Sequence, residues 1–196
     1  MDNLKRLTDE ASIATLVCGW MFRDLGQWAR LRELFHPEGT IEVTWFEGLF
    51  KDFVNASEKM GASNIRTKHV ITNPTVTIEK NRAIAETNVL IVGQNMQVGL
   101  GCETHARFYD LLEERDGVWR ILHRHCFYDM GAFTFPAGVV EIDRNIVAHY
   151  PVEYASLAYL LEVSGFAVKR IFPTLGSEAE RLIRTDSERW LAGGLA

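Results

Sequence analysis

Asp24 and His69 are the residues of this chain best suited to move a proton, and the residues around each explain why. Ile13, Leu16, Val17, Trp20 and Met21 recur at i, i+3, i+4, i+7 and i+8, the stripe of an amphipathic helix. One further turn of that stripe falls on Asp24, so a carboxylate is aimed into the protein, where it must be paired or hydrogen-bonded. The plain alternative is a helix-end cap, or a pair with Arg23, Arg30 or Arg32. In Lys68-His69-Val70-Ile71-Thr72, His69 shares a strand face with Ile71. A lone histidine on such a face is usually a satisfied core residue. Held by a buried carboxylate it is a different object: the carboxylate fixes its tautomer and leaves the other ring nitrogen to take a substrate proton. Spacing alone does not bring the two together.

The segment Arg120–Tyr128 carries the second group of candidates. Alternation places Leu122, Arg124, Cys126 and Tyr128 on one face and Ile121, His123, His125 and Phe127 on the other. Arg124 and Tyr128 could anchor an anion or phenol and supply a proton; a salt-bridged rim is the alternative. His123 and His125 could hold a metal only with a third ligand such as His105. No H-E-x-x-H or C-x-x-C supports one, so no metal is expected. Trp45, Phe46, Phe50 and Phe53 lie within one short stretch and suit an apolar pocket for a flat aromatic small molecule.

These residues need elements to position them. The first helix is expected to be capped by Thr8 or Asp9 and ended by Gly26, and a second carries Trp28, Leu31, Leu34 and Phe35 up to Pro37 and Gly39. A strand is expected from Thr40 through Phe46, then a helix from Lys51 to Ala62. The β-rich stretch 66–93 is punctuated by Asn73-Pro74 and Lys80-Asn81, and Arg115-Asp116-Gly117 joins two strands near 99–112 and 118–128 as a hairpin. Gly99-Leu100-Gly101 within the strand pattern suggests a bulge. This order predicts an α+β fold, helices on one face of a curved antiparallel or mixed sheet. Residues 1–135 form the expected catalytic domain. Residues 136–196 form a helical extension, with helices over Pro151–Val163 and Ser177–Leu191, packed on the core or on a second subunit.

Composition narrows the function classes. With 196 residues, 47% hydrophobic and 24% charged, the chain is one ordinary globular domain with its appendage. A net charge of −5 argues against nucleic acid as a partner. No apolar run approaches a membrane span, and the first residues lack the apolar core of a secretory signal, so no membrane association is expected. Cys18, Cys102 and Cys126, widely spaced, read as reduced thiols of a cytoplasmic protein. No G-x-G-x-x-G, G-x-x-x-x-G-K-[ST] or G-x-S-x-G occurs, and no organic cofactor is expected.

Phe22–Phe35, Arg66-Thr67-Lys68-His69 and Glu114–Arg120, in this order and spacing, resemble the SnoaL-like branch of the nuclear-transport-factor-2-like superfamily, over roughly residues 5–135. That branch is similar to the scytalone dehydratases and hexachlorocyclohexane dehydrochlorinases, cofactor-free lyases on a cone-shaped α+β fold. The resemblance implies that Asp24 pairs with His69 and that His69 is the base of an elimination losing water, halide or formaldehyde. It implies a hydrophobic aromatic substrate, of which a lignin-type diaryl compound is one kind, and a homodimer or higher homo-oligomer. Two departures stand out. Arg23 replaces the tyrosine that precedes the aspartate in scytalone dehydratases, and Ala106 and Phe108 fall where those enzymes have Ser and Asn, so scytalone itself is not the expected substrate. The same fold also serves isomerases or polyketide cyclases with a carboxylate base, and the non-catalytic small subunits of ring-hydroxylating dioxygenases.

Overall fold

The computed structural model describes residues 3–194 and has the expected α+β architecture. Helix α1 (Asn3–Cys18) begins before the expected caps, so Thr8 and Asp9 lie inside it. Asp9 is instead a buried anchor that accepts from Lys5 Nζ at 2.9 Å and Trp119 Nε1 at 3.1 Å. The helix breaks at Gly19, where a β-carbon would stand 2.7 Å from Leu34 Cδ2 and 2.9 Å from the Leu16 carbonyl oxygen. Only glycine lets the second segment approach so closely. Helix α2 (Met21–Asp24) resumes after the break with its phase changed: Met21 is exposed, whereas Trp20 and Arg23 are buried. Helix α3 (Trp28–Arg32) is shorter than its apolar spacing suggests. Leu34 leads out of it and Phe35 opens strand β1 (Phe35–Val43), with Pro37 where the pairing register slips. A turn at Thr44-Trp45 divides the expected continuous strand and starts β2 (Phe46–Leu49), directly followed by α4 (Phe50–Gly61).

Strands β3 (Ile65–Ile71), β4 (Thr75–Glu79), β5 (Arg82–Asn95), β6 (Leu100–Arg115) and β7 (Val118–Thr134) complete one curled sheet in the order β2-β1-β7-β6-β5-β3. The first half of β5 pairs with β4 and the second with β3; only β1 and β7 run parallel. The hairpin at Asp116-Gly117 forms as expected, both residues with positive φ. The β7 alternation does not hold throughout. Leu122 is an extra residue in β7: Leu112 pairs with Ile121 but Leu111 pairs with His123. The bulge resets the faces, so Ile121 joins Cys126 and Tyr128 in the main core while Leu122 goes with Phe127 on the opposite side. No cluster of three or more potential metal ligands occurs among the described residues, and His105 pairs with Met130, well along the strand from Leu111 and His123. Burial pushes the Cys102 and Cys126 thiols up to about 12, and no cysteine among the three is bridged. No helix of the described residues is long and apolar enough to cross a membrane.

The C-terminal extension grips the sheet from both sides. Helix α6 (Ala155–Val163), preceded by the short α5 (Arg144–Val147), buries Leu157, Leu160 and Leu161 in the main core. Helix α7 (Glu178–Leu191) covers the other face, where Trp190 packs with Ile84, Tyr109, Leu111 and Phe127. Ser177 caps α7 by accepting from the Glu180 N–H at 3.2 Å, and Glu180 reaches back to the Gly176 N–H at 2.7 Å. Arg82 closes the other end of α7 by donating to the Trp190 and Gly194 carbonyls. The buried apolar residues of the extension are thus spent on its own chain, while Val139, Val152, Ile171, Leu175 and Leu182 stay exposed. The seat of α6 depends on Gly131: a β-carbon there would meet the Glu153 carbonyl oxygen and Ser156 Oγ, both at 3.0 Å. Gly131→Ala is expected to destabilise the protein by about 1–3 kcal/mol through overpacking, read as a lower urea midpoint.

Candidate active site

Strand β3 presents Ile65, Thr67, His69 and Ile71 inward, alternating with exposed Arg66, Lys68 and Val70. Helix α2 delivers Asp24 to this face. Asp24 Oδ1 lies 2.8 Å from His69 Nδ1, and Asp24 Oδ2 accepts from the His69 backbone N–H at 2.6 Å. One carboxylate therefore fixes both the backbone and the ring of the histidine. Burial opposes ionisation of Asp24, but its bonds to His69 and the nearby Arg23 outweigh this and hold its carboxyl below the usual range. Burial is also the largest influence on His69, lowering its pKa; Asp24 pulls the other way, and the cations of Arg23 and Arg124 push it down further. The resulting state is a neutral imidazole beside an ionised carboxylate. Its Nδ1–H is directed to Asp24, and Nε2 keeps its lone pair for the cavity that His69 lines.

That cavity has a volume of about 40 Å³, enough for water and too small for an aromatic ring. Its walls include Trp45, Phe53 and Tyr128, as the sequence suggests, and Leu157 and Leu161 of α6, which close it from the extension. Trp20 sets its indole edge-on to the His69 ring, with centroids 5.9 Å apart. Tyr128 is fully buried and burial pushes its pKa well up, so it stays a phenol; its oxygen accepts from the Thr44 N–H at 3.0 Å.

Three residues expected at the pocket lie elsewhere. Phe50 is in the core, stacked on Phe35 with centroids 3.5 Å apart. Phe46 is half-buried, edge-on to Trp45 and Phe53. Arg124 does face inward, but its Nε and Nη2 donate to the two oxygens of Asp110, each at 2.7 Å. Its guanidinium lies between Phe108 and Trp20, 4.1 and 4.6 Å from their centroids, and is not part of the cavity wall.

The cation in the wall is Arg23, which its sequence position offers only as a partner for Asp24. It is buried, donates from Nη1 to Thr67 Oγ1 at 2.6 Å and from Nη2 to Met60 Sδ at 3.4 Å, and lies 3.6 Å from Asp24. Burial works against its charge and Asp24 supports it. Arg23, Met60 and Thr67 also border a second cavity of about 80 Å³, and so divide the two. Its signal in the sequence is the helical stripe itself, since Trp20 and Arg23 are three residues apart.

Residues 5–125 match the model of the SnoaL-like domain. An uncharacterised protein of Emericella nidulans is 26% identical over 98% of this chain and 89% of its own length. Among solved structures, a scytalone dehydratase candidate from Novosphingobium aromaticivorans superposes with a TM-score of 0.57 at 17% identity, over 69% of this chain and 97% of its own. A type-3 hexachlorocyclohexane dehydrochlorinase from Novosphingobium barchaimii gives 0.58 at 21% identity, over 72% and 99%. At these identities the two structures share the fold.

Proposed function

Because the chain belongs to the SnoaL-like domain family, we propose that it is a cofactor-independent lyase in which His69 is the general base and Asp24 orients and supports it. The observation that carries this reading is the pair of bonds from one carboxylate to the backbone and ring of His69, beside a cavity. Nε2 removes a proton from a substrate C–H or O–H, the released electron pair forms a double bond, and the leaving group departs with its own pair. Loss of water or halide follows C–H abstraction. Loss of formaldehyde follows abstraction from a hydroxymethyl O–H, when the broken C–C bond supplies the new double bond and a neighbouring hydroxyl leaves. Tyr128, still a phenol, is placed to donate to that leaving oxygen. The aromatic wall favours a flat hydrophobic substrate, including lignin-type diaryl compounds, and a substrate of that size requires the wall at Trp45, Leu157 and Leu161 to move.

An isomerase or cyclase on this fold needs a carboxylate as its base. Both Asp24 oxygens are engaged by His69, which counts against that role. The test is an ultraviolet scan of hydroxylated diarylpropanes and polycyclic aromatics with a formaldehyde trap. New conjugated absorbance is expected, and the trap separates formaldehyde loss from dehydration; silence across the panel overturns the reading. The pH dependence has a definite sign. His69 acts as a neutral base and its pKa is lowered, so kcat/KM is expected to hold through neutral pH and fall only below the ordinary imidazole value of about 6.5. An acid limb above that value rules out His69 as the base.

A further inference from the structure

We infer that Arg23 is an oxyanion-binding residue, and that the substrate reacts through an oxygen that becomes negative: a phenol or a carbonyl conjugated to the C–H that is lost. This rests on the elimination reading and deepens it. Arg23 is buried and borders the same cavity as His69. A guanidinium has five N–H donors, yet this one spends a bond on the thioether of Met60, a weak acceptor on a flexible side chain. Its nearest carboxylate is already bound to His69 through both oxygens. An oxyanion in the cavity replaces the thioether with a charge-assisted bond roughly twice as strong as a neutral one.

Of the other polar groups on this side, the Trp20 indole N–H is buried on the cavity wall without a partner among the described residues and offers a second, neutral donor to the same oxygen, whereas the remaining cation and the threonine beside Arg23 are engaged. Arg124 is held by both oxygens of Asp110, and Thr67 accepts from Arg23 itself. Cation and base share one cavity of about 40 Å³, so a proton taken by Nε2 leaves its negative charge beside the guanidinium when that charge is delocalised onto oxygen. A substrate without such an oxygen, such as a saturated organohalide, gains nothing from Arg23. Substrate choice therefore separates oxygen-activated compounds from unactivated ones.

The test uses 4-nitrophenol, whose phenol and phenolate forms absorb differently, titrated with pH in the presence of wild type, His69→Ala, Arg23→Gln and Arg23→Lys. Bound to wild type and to His69→Ala, the probe is expected to ionise at a pH roughly one to three below its value in water. Arg23→Gln is expected to abolish that preference and Arg23→Lys to keep part of it. The wild-type and lysine titrations decide the matter even where the glutamine variant does not fold. Failure of wild type to bind the probe, preference for the neutral phenol, or an unchanged preference in Arg23→Gln overturns the inference. A protein that favours the phenolate yet turns over no member of the lyase panel instead overturns the elimination reading and leaves the oxyanion site standing.

Discussion

His69→Ala is expected to reduce kcat/KM by about 10²- to 10⁴-fold, the range a positioned general base supplies. The loss should appear in kcat, because the proton is taken in the transition state while the apolar walls that hold the substrate are unchanged. Circular dichroism should stay close to the wild-type spectrum: the ring's contacts are its bond to Asp24 and its edge contact with Trp20, and Asp24 keeps the backbone N–H of residue 69 and the nearby Arg23 when the ring is removed. Truncation leaves room for a free imidazole, so added imidazole should restore part of the rate. A variant with wild-type kcat removes His69 from the mechanism. His69→Gln tests the same point with the volume kept, since an amide can bond to Asp24 but is no base near neutral pH.

The second large effect concerns stability. Asp110→Asn removes the charge opposite Arg124, whose side chain is 0% exposed, as is that of Asp110. A cation is then left among Trp20, Phe35 and Phe108 with only an amide facing it. Breaking a buried pair in this way costs about 3–5 kcal/mol, largely for the uncompensated charge. The urea midpoint should fall accordingly. Asp110→Leu combined with Arg124→Met should recover most of the loss, because the pair in isolation contributes little net stability. If the double variant is as unstable as Asp110→Asn, the pair does more than satisfy itself.

The contrast between Asp24 and Arg124 explains what was legible in the sequence. Asp24 follows from helical periodicity, a local property, and His69 from strand alternation, also local. The break at Gly19 shifts the phase enough to expose Met21, but Asp24 still reaches β3. Arg124 depends on what stands across the sheet. With Arg115 opposite Val118, unbroken pairing would set Asp110 against His123; the extra residue Leu122 moves it to Arg124 and creates the bidentate pair. A bulge leaves no periodic trace in the chain that carries it. The division of the expected strand at Thr44-Trp45 was hidden for a similar reason, because apolar alternation runs through the turn. The two longer helices of the extension were visible in their spacing, and the single turn of α5 was not. That one lies on each face of the sheet was not, since nothing in a helix's own stripe states which surface it meets.

The walls contributed by α6 bear on how tightly any ligand can be held. A cavity with room only for water admits an aromatic molecule only in conformers where Leu157, Leu161 or Trp45 has withdrawn. Observed dissociation constants are then the intrinsic ones divided by the fraction of molecules in that open form. An open population of about one in a hundred weakens apparent binding about a hundredfold without any change in the contacts made. Substitutions that loosen the seat of α6 raise that fraction, so a protein made less stable at Gly131 would hold its ligand more tightly.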